Sequence, residues 1–121
     1  MIAAVSTSPG LSLWLEVCKL DDLIDNIGIC ALIGDQQIAL FRFSGSNQLY
    51  AIDNHDPFSD ANVLSRGVVG DLNGQPMVAS PIFKHHFNLQ TGQCMENESV
   101  KLKTYAVRVV DGIVQIADQD N

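Results

Sequence analysis

Short apolar runs, each closed by a Gly-, Asn- or Asp-rich turn, cover most of the chain. Leu13-Trp14-Leu15-Glu16-Val17 predicts a first strand, and Leu20-Asp21-Asp22-Leu23 a turn after it. Residues 28–33 and 37–43 flank Gly34-Asp35 and predict a hairpin, and residues 48–52 follow the turn cluster Ser44-Gly45-Ser46-Asn47. Residues 68–72 and 76–79 flank Asn73-Gly74, while residues 105–110 and 113–116 flank Asp111-Gly112. Both dipeptides suit type I′ turns, whose central residues take positive φ. Phe87-Asn88-Leu89 leads into a further turn at Thr91-Gly92. No window of about 12 residues carries a helical period. The pattern predicts an all-β, antiparallel sandwich or barrel.

Two segments break the alternation. Residues 53–67 and 80–86 are irregular, and each holds a proline, Pro57 and Pro81. Long irregular loops on a β scaffold are where function concentrates. Outside one domain over residues 12–117, residues 1–11 read as a loose N-terminal segment and 118–121 as a solvated tail.

Composition narrows the function classes. With 121 residues, 46 % of them hydrophobic and 17 % charged, the chain suits one globular domain. A net charge of −7 argues against nucleic acid and against an anionic membrane surface as partners. Cys18, Cys30 and Cys94 are odd in number, widely spaced and without a CxxC pair. They read as reduced, largely buried thiols of a cytoplasmic protein. Met1 to Gly10 lacks a basic n-region, and no run approaches the ~20 apolar residues of a membrane span. The sequon Asn97-Glu98-Ser99 therefore reads as fortuitous. No GxSxG, GxGxxG or Walker loop occurs, which leaves no recognisable catalytic or nucleotide-binding constellation.

The two loops carry a resemblance. The first runs Tyr50-Ala51-Ile52-Asp53-Asn54-His55-Asp56-Pro57-Phe58 and on to Ser65-Arg66-Gly67; the second runs Ser80-Pro81-Ile82-Phe83-Lys84-His85-His86-Phe87, ending at Thr91-Gly92. They resemble the paired loops of Rieske proteins, where Cys-x-His and Cys-x-x-His hold a [2Fe–2S] cluster. Here Asp56 and Phe58 stand at the first Cys and His positions, and Ser80 and Phe83 at the second pair. Phenylalanine has no donor atom, and serine is a poor ligand for soft iron–sulfur chemistry. The scaffold is thus expected without its cluster, as a Rieske-type fold with a vestigial two-loop subdomain. This combination, from Trp14 to Ile116, is similar to the small subunits of NAD(P)H-dependent nitrite reductases.

The resemblance implies an accessory subunit of a cytoplasmic, assimilatory enzyme reducing nitrite to ammonium. It implies no cofactor in this chain; FAD, an iron–sulfur cluster and sirohaem belong to the large catalytic subunit, its partner. The isolated chain is expected to be inactive. Two alternatives stand beside this: a Rieske-type ferredoxin carrying electrons, and a module binding a small molecule in the vacated cluster position.

Several residues have two readings. Phe58 and Phe83 either pack on each other or on Pro57 and Pro81 in place of the cluster, or serve as exposed anchors for a partner. His55, Asp56, Phe58, Phe83, Lys84 and His85 form the candidate partner interface. His85 and His86 are adjacent and would point to opposite sides of an extended segment, so a shared metal ion is disfavoured. Arg66 is expected to bond loop carbonyls, with an interface salt bridge as the alternative. Lys101 and Lys103 read as a solvated edge.

Overall fold

The structure is a computed structural model that describes residues 14–44 and 48–118, together with the backbone of two N-terminal dipeptides. The strands are β1 (Ile2–Ala3), β2 (Val5–Ser6), β3 (Leu15–Lys19), β4 (Ile29–Ile33), β5 (Gln36–Phe43), β6 (Gln48–Asp53), β7 (His55–Asp56), β8 (Ala61–Asn62), β9 (Val68–Leu72), β10 (Gln75–Ala79), β11 (His86–Asn88), β12 (Thr104–Val110) and β13 (Ile113–Asp118). One-turn 3-10 helices cover Leu20–Asp22 and Leu64–Arg66.

Eight strands form the main sheet in the order β1-β4-β5-β6-β12-β13-β3-β2. All its pairings are antiparallel except β1 with β4. β1 and β2 are nearly consecutive in the chain yet occupy the two outer positions of the sheet. That placement draws the outer strands toward each other and nearly closes a barrel, which removes most of the exposed edge. The two-loop unit is inserted between β6 and β12. It holds the small sheet β11-β10-β9 and the short pair β7-β8.

The turn chemistry acts as expected. Asn73 and Gly74 have φ of 55° and 83°, and Asp111 and Gly112 have 52° and 79°. Each pair therefore joins its strands through the positive-φ turn that matches strand twist. The strand expected first is β3, two residues further on than the pattern suggested, at Leu15–Lys19, because the N-terminal segment read as loose supplies β1 and β2 to the edges of the main sheet; Leu13 and the turn residues Gly45-Ser46-Asn47 lie outside the described residues. Asp118, read as tail, is the last residue of β13 and pairs with Lys103 at 3.0 Å.

The apolar run Ile38-Ala39-Leu40-Phe41 in β5 is buried along its whole length. Alternate side chains serve two cores. Ile38 and Leu40 face the barrel interior with Val17, Ala51, Tyr105, Val114 and Ile116. Ala39 and Phe41 face the inserted unit with Ile52, Leu64, Val78, Phe87, Leu89 and Leu102. A strand covered on both sides must be continuously apolar, which is why this one does not alternate. The inserted unit thereby sits on the barrel as part of one folded body.

Candidate functional site

The first loop is fastened to the barrel by one buried amide. The Asn54 side-chain Nδ2 donates to Gln37 Oε1 and to the Asn62 carbonyl, both at 3.1 Å, and its Oδ1 accepts from the Ser65 amide at 2.7 Å. The Asn54 amide also donates to the Gln37 carbonyl, and its carbonyl accepts from Leu64. Asn54 is 1 % exposed, so each bond is made away from water and replaces hydration the group has lost. The sequence placed Asn54 in the motif without a role; an Asn directly after a buried strand and before a proline loop is the available signal.

The next links join the two loops. Asp56 Oδ1 accepts from the Phe58 amide at 2.9 Å, and Oδ2 accepts from the Ser59 hydroxyl at 2.9 Å. Oδ2 also accepts from the Ser80 hydroxyl of the second loop at 2.5 Å. Asp56 and Ser80 are both 0 % exposed. Burial pushes the Asp56 carboxyl up, but the hydrogen bonds from Ser80, Phe58 and Ser59 outweigh it, and its pKa falls below the ordinary value. The two positions that carry cysteines in a cluster-bearing relative thus hold a charge-assisted hydrogen bond across the loops. Asp56 was expected among the partner-contacting residues; full burial assigns it to the interior instead.

Phe58 closes the same gap from the apolar side. Its ring stacks on His85 with centroids 3.6 Å apart and planes at 6°, and meets Phe87 at 6.2 Å. The expected packing of Phe58 on Phe83 is not formed. Phe83 is 60 % exposed, because the second loop turns its tip outward before returning to His85. The Ser80 amide donates to the His85 carbonyl at 2.9 Å, closing the loop at its root. Lys84 at the tip has φ of 66° and donates its ammonium to the Pro81 carbonyl at 3.0 Å. His85 is half-buried, and its Nδ1 is a buried atom with no hydrogen-bond partner.

Polar side chains brace the second loop from behind. Glu96 accepts from the His86 amide and bonds His86 Nδ1, each at 2.7 Å. Gln93 Nε2 lies within bonding distance of the carbonyls of Cys94, Asn97, Glu98 and Val100. Gly92 has φ of 79°, and a Cβ there would strike the Leu102 backbone, so only glycine fits.

The residues present do not fit a [2Fe–2S] cluster. At the four ligand positions there is no thiolate and no imidazole, the Asp56 carboxylate is occupied by three donors, and Phe58 offers no donor atom and is stacked on the His85 ring. No cluster of three or more His, Cys, Asp or Glu suited to a metal ion occurs among the described residues. His86 is committed to Glu96, and His55 lies 3.2 Å from Asp60 and 3.1 Å from Asn62. The cysteines are free, and burial pushes Cys18 up to about 11 and raises Cys30 and Cys94, so none is a ready nucleophile at neutral pH.

Arg66 is exposed and makes no side-chain hydrogen bond or ion pair with the described residues, contrary to the expected bonds to loop carbonyls. Lys103 is exposed, as expected of a solvated edge, and there it pairs with Asp118 and lies over the Tyr105 ring at 5.1 Å. No helix is long and apolar enough to cross a membrane among the described residues.

Fold and loop geometry define a Rieske-type domain whose cluster position is closed by protein side chains. Residues 13–117 match the family of Rieske-like [2Fe-2S] domains. The nitrite reductase (NADH) small subunit of Escherichia coli K12 is 47 % identical over 106 residues, covering 88 % of this chain and 98 % of that protein. The nitrite reductase [NAD(P)H] small subunit of Erwinia carotovora, solved by solution NMR, is 46 % identical with a TM-score of 0.75, covering 92 % of this chain and 85 % of that one. A nitrite reductase [NAD(P)H] large subunit of Klebsiella oxytoca is 42 % identical over 106 residues, which span 88 % of this chain and 11 % of that protein. The chain belongs to the nitrite reductase (NADH) small-subunit family.

Proposed function

We propose that this chain is a non-redox accessory subunit of a cytoplasmic, assimilatory NAD(P)H nitrite reductase, bound to the large subunit that carries the flavin, iron–sulfur cluster and sirohaem. The observation that carries the reading is the Ser80–Asp56 bond with the Phe58–His85 stack beside it. These contacts link the two loops through protein side chains, which supports a loop surface that does not depend on a cluster. A ferredoxin role has no donor set to support it. A ligand in the vacated cluster position is not favoured, since Asp56 and Ser80 are fully buried there and bonded to each other.

The Klebsiella large subunit supports the partner assignment, because it holds a segment like this chain within its own length. Joining the domain covalently to the catalytic body suits a function that requires the two to be adjacent. The chain then contributes by positioning or covering parts of the large subunit, and adds stability to the assembly by mass action.

The test is nitrite-dependent oxidation of NADH and NADPH by the co-expressed large subunit, with and without this chain. The expected result is a complex that co-purifies, higher activity or longer-lived activity with the chain present, and no turnover by the chain alone. An isolated chain that is brown and contains iron and acid-labile sulfide would defeat the proposal.

A further inference from the structure

Three exposed apolar side chains of the loop unit, Val68, Ile82 and Phe83, lie toward the end of the small sheet where the second loop leaves it, while Leu72 lies at the hairpin end. Val68, Ala79 and His86 pair across β9, β10 and β11, and the loop from Ser80 to His85 projects beyond that line. Val68 is 72 %, Ile82 44 % and Phe83 60 % exposed. Large apolar groups displayed together by a loop whose root is fixed by hydrogen bonds are poorly explained as core, and well explained as contact surface.

Charge separates in the same place. Arg66 immediately precedes Gly67 and Val68, and Lys84 follows Phe83; both are exposed, and neither pairs with a carboxylate among the described residues. The carboxylates belonging to this end are used internally, Asp56 by Ser80 and Glu96 by His86. A chain of net charge −7 therefore presents two unmatched cations around an apolar trio. Lys84 does so from a positive-φ backbone that glycine or asparagine would adopt with less strain.

We propose that Arg66, Val68, Ile82, Phe83 and Lys84 form the docking surface for the large reductase subunit, seating Phe83 in an apolar pocket bordered by carboxylates. This rests on the accessory-subunit reading above. Phe83 is the anchor, since buried aromatics dominate interface energetics, and the two cations set orientation and encounter rate. Of the residues first expected to share the interface, Asp56 is interior and His55 lies with Asn62 and Asp60, so the surface is the second loop together with the start of β9.

The experiment measures affinity of the purified chain for the large subunit from the same genome, at low and high salt. The variants are Phe83→Ala, the pair Arg66→Glu with Lys84→Glu, and Lys19→Glu as a single charge-reversal control at the opposite barrel end. Each variant is first checked for unchanged melting temperature. Phe83→Ala is expected to weaken binding about 30-fold or more at both salt levels, the size of a hot-spot loss. The double reversal is expected to weaken binding at least about tenfold at ~50 mM salt and much less at ~500 mM, because screening removes the charge contribution. Lys19→Glu is expected to stay within about twofold. A complex whose affinity ignores all the tip variants overturns the docking surface and leaves the accessory subunit standing. Loss of self-association by Phe83→Ala, with large-subunit binding intact, assigns the surface to a second copy and overturns it as well. Failure of the wild-type chain to bind the large subunit overturns the function and the surface together.

Discussion

Barrel and loop unit are held by different means. In the barrel, β5 pairs with β6 at six positions and β12 with β13 at six, and the interior is apolar. In the loop unit, β9 and β10 pair at five positions, but β7 and β8 pair at two and β10 and β11 at three. What fixes the loops is a set of side chains: Asn54, Asp56, Ser80, Gln93 and Glu96 take on bonds that a ladder makes elsewhere. Ladder and apolar packing are distributed, so no single residue carries the barrel. Side-chain bridges are concentrated, so single substitutions act locally.

Truncating the shared core tests the distributed side and has the largest expected effect. Phe41 is 0 % exposed and faces the loop unit from β5. Phe41→Ala should cost about 3–5 kcal/mol, from lost burial and the cavity left behind. Because Phe41 joins barrel and insert, chemical denaturation should remain a single transition with a lower midpoint. Two separate transitions would show that the loop unit unfolds independently.

The concentrated side is tested at Asp56. Asp56→Ala leaves the Ser80 and Ser59 hydroxyls and the Phe58 amide without their acceptor, and should cost about 1.5–3 kcal/mol. Hydrogen exchange should quicken at Phe58 and through Ser80 to His85, while the β5–β6 and β12–β13 ladders stay protected. Equal loss of protection in the barrel would mean that the bond supports the whole fold instead of the loops.

The same carboxylate gives a pH signature. Its folded pKa lies below the ordinary value, so it adds stability that is complete above the unfolded Asp pKa of about 3.9. That contribution is lost as pH falls through the lower, folded pKa, where the native carboxylate at last takes a proton. Stability of the wild type should therefore drop more steeply below about pH 4 than that of Asp56→Asn, which has no such proton to bind. Parallel curves would remove Asp56 as a source of acid sensitivity.

This division also explains what could be read from sequence. Alternation in β12 and β13, with Asp111-Gly112 between them, located the hairpin nearly to the residue, because apolar period and turn chemistry act locally. The unalternating run in β5 was recognisable as strand, although its two-sided burial is a tertiary fact. The loops were legible as different, and the resemblance to Rieske proteins, set beside the chemistry of Asp56, Phe58, Ser80 and Phe83, implied that the four cluster ligands are replaced. What replaces the cluster was not. Ser80 and Asp56 are 24 residues apart, and either is an ordinary loop residue until the fold brings them together. Phe58 gave the same difficulty: an aromatic at a loop tip has many possible neighbours, and the choice of His85 over Phe83 depends on which way the second loop turns.

Phe58 and Phe83 sharpen the comparison at its smallest scale, since they occupy corresponding positions in the two loops and differ in surroundings. Phe58→Ala removes the stack on His85 and the contact with Phe87, and should lower stability by more than the ~0.5–1.5 kcal/mol of an aromatic pair, because burial is lost with it. Phe83→Ala removes a side chain that is 60 % exposed and should change stability by no more than about 0.5 kcal/mol. Thermal melts of the two variants side by side separate the roles. If Phe83→Ala destabilises as much as Phe58→Ala, the tip is packed in solution and loses its standing as a free surface. If Phe58→Ala is silent, the stack contributes little, and the Ser80–Asp56 bond with Asn54 behind it must hold the loops without aromatic help.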